Sequence, residues 1–134
     1  MTAGTVKARS VLLAEDDALI RLDAEEMLTA EGFEVLAVDS GKQAVAELDT
    51  DAGRFDAVVT DIRMGDGPSG WDVGRHAREL VATMPVIYMT ADSAKAWSSQ
   101  GVPNSVLLQK PFVPAQLITA LSTLLNQSAA NNLA

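Results

Sequence analysis

Five short apolar runs, each followed by a stretch with helical periodicity, constrain this chain more than any other feature. Val11-Leu12-Leu13-Ala14, Phe33 to Val38, Phe55 to Asp61, Pro85 to Met89 and Val106-Leu107-Leu108 are too short for helices and read as buried strands. Glu34 inside the second run suggests an edge position. Between the runs, apolar residues recur at helical spacing. Ile20, Ala24, Met27 and Leu28 form one stripe, Val45 and Leu48 a second, and Val73, Ala77, Leu80 and Val81 a third. Leu117, Leu121, Leu124 and Leu125 form the last. Strands alternating with helices predict a parallel sheet covered on both faces, a three-layer α/β domain with right-handed crossovers.

The punctuation agrees with this reading. Asp16 or Asp17 can cap the first helix, and Gly32 stops it. Ser40 to Gln43 matches a capping box. Pro114 suits the first turn of the last helix. Ala91 to Asn104 holds several Ser, a Gly and a Pro, so the fourth helix is expected to be short or frayed. Residues 1–9 read as an N-terminal extension, 10–127 as one domain and 128–134 as a loose tail.

Composition removes several classes of function. The 134 residues suit one domain, and 48% apolar content supplies a core. A net charge of −8 with no basic stripe argues against direct contact with nucleic acid. The absence of cysteine excludes a disulfide scaffold and a thiolate metal site, and fits a cytoplasmic protein. No apolar run approaches the roughly twenty residues of a membrane span, and residues 1–10 lack a signal-peptide core, so a soluble intracellular protein is expected.

The chemistry stands where the strands end. The first run leads through Glu15 to Asp16 and Asp17, the third ends on Asp61, the fourth on Thr90 and the fifth leads to Lys110. In open α/β sheets ligands bind at these tips, where strand order reverses. In an order of 2-1-3-4-5 that point falls between the first and third strands, so the three aspartates meet. Crowded carboxylates need a cation or a proton. Oxygen donors without sulfur or histidine favour Mg²⁺. An ionised aspartate is a nucleophile toward phosphorus, and Lys110 can neutralise phosphoryl oxygens. The Thr90 hydroxyl can donate one hydrogen bond to such an oxygen. Singly these residues read as a helix cap, a turn residue, a strand end and a solvated charge. Their conjunction is what points to a site. His76 reads as a surface residue, and Trp71 and Trp97 as packing residues.

Leu12 to Asp17, Val58 to Met64, Tyr88 to Ala91 and Gln109 to Phe112, in this order and at these separations, resemble the receiver domain of bacterial two-component response regulators. The resemblance covers residues 10–127 and implies a CheY-like, flavodoxin-like (βα)5 fold of the order given above. It implies Asp61 as acceptor of a phosphoryl group from a sensor histidine kinase or histidine phosphotransfer protein. It implies Mg²⁺ on Asp16, Asp17, Asp61 and the Arg63 backbone carbonyl, with Thr90 turning toward the phosphoryl group and Lys110 pairing with it. It also implies a cis Lys110–Pro111 bond. Members often carry Tyr or Phe three residues before the lysine, where this chain has Leu107.

The leading expectation is therefore a stand-alone receiver acting through a downstream protein, as a monomer or weak phosphorylation-dependent dimer, with no direct contact to nucleic acid or membrane. It would catalyse only its own phosphotransfer and dephosphorylation. The alternatives are a Mg²⁺-dependent aspartate-nucleophile phosphatase, and a fragment of a larger regulator or hybrid kinase. Such phosphatases usually place a second aspartate two residues after the nucleophile. Here that residue is Arg63, which cannot give up a proton. Arg63 and Asp92 are expected to set the lifetime of the phosphoryl group, and Trp97 to report the switch.

Overall fold

The computed structural model describes residues 8–92 and 97–133, with side chains through Ser128; most of the N-terminal extension read from the sequence lies outside them. Five strands run β1 (Ser10–Ala14), β2 (Glu34–Val38), β3 (Ala57–Asp61), β4 (Val86–Thr90) and β5 (Val106–Gln109). They form one parallel sheet in the order β2-β1-β3-β4-β5, as expected. The helices are α1 (Ala18–Ala30), α2 (Gly41–Asp51), α3 (Gly70–Leu80), α4 (Trp97–Gln100) and α5 (Pro114–Leu133), with a 3₁₀ turn at Ala52–Arg54. Among the described residues no helix is long and apolar enough to cross a membrane.

Period-two alternation divides the core. Leu12, Ala14, Val58, Val86 and Tyr88 leave the sheet on one face and pack against Ala44 and Leu48 of α2 and Val73 and Ala77 of α3. Val11, Leu13, Val59, Ile87 and Met89 leave it on the other and meet Ala24 and Leu28 of α1 and Leu117, Leu121 and Leu124 of α5. The central strands β1, β3 and β4 are buried along nearly their whole length. β2 is an edge with Glu34 exposed, in keeping with its charge.

The structure departs from the sequence reading at four places. Leu80 is 47% exposed, because α3 ends there and the extended backbone of Val81 carries that residue to the core instead. Gln43 does not close a capping box on Ser40; its side chain accepts from the Asp39 N–H while Ser40 accepts from the Gln43 N–H. A full reciprocal box stands instead at Ser69 and Asp72, at the start of α3. The backbone of α5 continues to Leu133, where a loose tail is expected from Ser128.

Candidate functional site

Sheet register builds the site. Ala14 pairs with Thr60, so the next residues, Glu15 and Asp61, stand side by side at the tips of β1 and β3. Thr90 pairs with Gln109, which places Lys110 beside Thr90, and the Lys110 N–H donates to the Thr90 carbonyl at 2.7 Å. Parity then sets direction. Glu15, Asp61 and Lys110 each lie two residues beyond a side chain on the α1/α5 face: Leu13, Val59 and Leu108. The three side chains converge. Lys110 Nζ donates to Glu15 Oε1 at 2.5 Å and lies 3.3 Å from Asp61 Oδ2. Asp61 Oδ1 accepts from the Ile62 N–H at 2.9 Å. The Lys110–Pro111 bond is cis, as the resemblance implies.

Three carboxylates, Glu15, Asp16 and Asp61, offer oxygens within 4.8 Å of one another. The expected pair was Asp16 and Asp17. The structure brings Glu15 and Asp16, not Asp16 and Asp17, to Asp61, because the Asp17 side chain serves as the N-cap of α1. Asp17 Oδ1 accepts from the Leu19 and Ile20 N–H groups at 3.0 and 3.1 Å. Glu15 is wholly buried, and its second oxygen accepts from the Asp17 N–H. Two sequence signals mark this division. Glu15 continues the alternation of β1, and Asp17 precedes Ile20 by the three residues of a cap.

The charges do not balance. Three ionised carboxylates against one ammonium leave −2. Burial pushes the Glu15 carboxyl up to about 7, with the Asp61 charge adding to it and the bonds from Lys110 and the Asp17 N–H opposing it. Burial works against the Lys110 charge, but the Glu15 hydrogen bond and the two carboxylate charges outweigh it and raise the lysine above its ordinary value. The donor set fits a hard divalent cation: oxygens only, an excess of two negative charges, and an exposed Asp16 at the entrance.

The loops after β3 and β4 form the rim. Thr90 Oγ1 accepts from the Asp92 N–H at 3.0 Å. Arg63 Nε pairs with Asp92 at 2.9 Å, joining the loop after β3 to the loop after β4. Behind the site Gly70 opens α3 so close to β3 that an added Cβ would lie 2.1 Å from the Asp61 carbonyl oxygen. A groove of about 640 Å³ runs alongside between α1 and the start of α5, lined by Ile20, Met27, Lys110, Phe112 and Pro114. His76 is at the surface between α2 and α3, 2.6 Å from Asp49 and apart from the acidic cluster.

Residues 11–122 match the response regulator receiver domain family. The phyllosphere-induced regulator PhyR of Methylorubrum extorquens is 28% identical over 86% of this chain and 43% of its own length. The transcriptional regulatory protein PdtaR of Mycobacterium tuberculosis is 32% identical over 84% of this chain and 55% of its own. The chain thus spans about half the length of these curated relatives. A response regulator receiver protein from Sinorhizobium medicae superposes with a TM-score of 0.88 at 48% identity, covering 92% of this chain and 99% of that one. The receiver domain of the sensor histidine kinase PA1611 of Pseudomonas aeruginosa, solved with magnesium in its active-site cleft, gives 0.77 at 26%, covering 90% and 99%.

Proposed function

The chain belongs to the response regulator receiver domain family, and from that premise we propose that Asp61 accepts a phosphoryl group from the phosphohistidine of a kinase or phosphotransfer protein. One observation carries this reading. Asp61 lies beside an ammonium at 3.3 Å and within an acidic cluster that a divalent ion would complete. An Asp61 oxygen attacks phosphorus as the P–N bond to imidazole breaks, and the imidazole leaves with a proton. Lys110 follows the charge onto the phosphoryl oxygens, releasing Glu15 and Asp61 from sharing it. Thr90 donates its hydroxyl to a second oxygen.

Glu15, Asp16 and Asp61, with the Arg63 backbone carbonyl, would hold Mg²⁺. The ion would supply charge neutralisation at the phosphoryl oxygens. Asp17 stays with its helix. The partner that brings the phosphohistidine reaches Asp61 over the groove beside α1, lined by Ile20, Met27, Phe112 and Pro114. The modified state is then read by a downstream protein, with the cytoplasm as the working compartment. The domain's own catalysis is limited to phosphotransfer and dephosphorylation at Asp61. The phosphatase alternative gains nothing from the geometry, since Arg63 is ion-paired to Asp92 and offers no proton.

Acetyl phosphate with Mg²⁺ should add one phosphoryl mass to the wild type and none to Asp61→Asn. Equal labelling of the two would overturn the assignment.

A further inference from the structure

The acid and cation cluster lies on the α1/α5 side of the sheet. On the opposite face β4 sends out Tyr88 and Thr90, two residues apart. Thr90 Oγ1 holds the Asp92 N–H at the start of the chain connecting β4 to β5. The Tyr88 hydroxyl accepts from the Val102 N–H at 3.1 Å, near the end of that connection. One strand therefore pins the connection at both ends.

Between the pins lies α4, one turn with no buried residue. A helix this short has no stability of its own. Its position comes from polar tethers. Trp97 Nε1 donates to Ser105 Oγ at 3.0 Å, and Ser105 Oγ donates to the Val102 carbonyl at 2.6 Å. From α3, Arg75 donates to the Gln100 carbonyl and side chain, and Arg78 to the Pro103 carbonyl. These bonds gather on Val102 and its neighbours, and Tyr88 ties Val102 to the sheet. The tyrosine is itself fixed. Its ring tilts against Trp71 at 4.7 Å between centroids, and its hydroxyl fills the space that a Cβ on Gly74 would occupy at 2.2 Å. Leu107, its partner in register on β5, has no polar group to share the work.

We propose that the Tyr88 hydroxyl, bonded to the Val102 N–H, is the fixed pivot about which α4 and Trp97 turn when Thr90 changes partner at the site. This rests on the phosphoacceptor reading. Turning Thr90 to another staggered rotamer, toward a phosphoryl oxygen, carries Oγ1 off the Asp92 N–H. The connection then loses its tie to Thr90 at its start, where Asp92 keeps the exposed ion pair with Arg63, and is still held at its end. The aromatic hydroxyl absent from position 107 is thus supplied from β4, as a positioning group that never touches the phosphoryl.

Amide exchange by NMR, with and without beryllofluoride and Mg²⁺, tests this in the wild-type protein. The Asp92 amide should lose about tenfold in protection, the size of one hydrogen bond, while Val102 keeps its own. Loss of protection at both would overturn the pivot. In a Trp71→Phe background, Tyr88→Phe should reduce the Trp97 emission change to roughly a third or less, with the rate of Asp61 modification kept within about twofold. An unchanged Trp97 response would overturn it as well. Intact mass with acetyl phosphate separates the two claims. No modification at Asp61 sinks the phosphoacceptor reading and the pivot with it, whereas modification with Val102 deprotected sinks the pivot alone.

Discussion

The two sides of the site are held by different forces. Glu15 and Asp61 project from the tips of strands buried on both faces and Lys110 from the end of the half-buried edge strand β5, and their carboxylates and ammonium are bonded to one another. Residues 97–105 carry one helical turn, Trp97–Gln100, without a buried residue, and side-chain hydrogen bonds tie them to α3 and β4. The first side is fixed by packing and so can hold charges that repel. The second is fixed by bonds worth about 1 kcal/mol each, which can be exchanged. Chemistry belongs to the first and movement to the second.

The most severe way to break this contrast is to remove the cation. Lys110→Met leaves Glu15 and Asp61 facing each other, and phosphoryl transfer to Asp61 should slow by about 100-fold, as when one oxyanion donor is lost. A rate within a few fold of wild type, read from the appearance of phosphoprotein, would show that packing and not charge makes the site.

Glycine substitutions probe the same contrast sterically. At Gly70 a Cβ meets the Asp61 carbonyl oxygen at 2.1 Å and the Ile62 Cα at 2.7 Å, backbone atoms that cannot yield. At Gly101 the first contact is the Trp97 ring at 2.4 Å, on a turn that can shift. Gly70→Ala should cost roughly 3 kcal/mol or more in urea unfolding, and Gly101→Ala less than half of that. Equal costs would mean that the α4 segment is as rigid as the strand tips.

Proton linkage sharpens the comparison further. The Glu15 carboxyl is pushed by burial from its ordinary 4.5 to about 7 in the fold. The folded state therefore binds more protons between those values, so this contribution is full below pH 4.5 and is lost as pH rises through 7. Without Mg²⁺, stability should fall across that window by roughly 2 to 3 kcal/mol, and Glu15→Gln should flatten the slope. A wild-type profile as flat as the variant's would count against a buried acid that carries excess charge.

The smallest thermodynamic effect belongs to the rim. Arg63 and Asp92 are largely exposed, so Arg63→Ala should change stability by no more than about 1 kcal/mol. Replacing both should nonetheless alter the lifetime of the phosphoryl group several-fold, on the order expected for a group that shields an attacking water. An unaltered lifetime of the phosphoprotein would remove the pair from the mechanism.

Periodicity carried most of the fold into the sequence. Apolar runs of strand length define the sheet, and the residues ending them mark the tips, so Asp61, Thr90 and Lys110 were legible as neighbours. The failures have physical reasons. Leu80 fits the spacing of α3, but its helix stops there, and spacing says nothing of where a helix stops. Gln43 has the spacing of a capping box, yet its side chain reaches Asp39. Tyr88 read as one more strand residue, because only the approach of Val102 and the gap at Gly74 give its hydroxyl a role.

By itself the sequence determined an alternating parallel sheet with acids and a lysine at its carboxyl edge, because side-chain period and strand length are local properties of the chain. It set Glu15, Asp16 and Asp17 side by side as three adjacent acids at one tip, with only strand alternation and cap spacing to tell them apart. Tertiary structure decided among them. The register of β1 with β3 turns Glu15 into the cluster beside Asp61, while the start of α1 draws the Asp17 carboxylate to two helix N–H groups. Adjacent residues project in different directions, and only the packed partners fix which one a carboxylate takes.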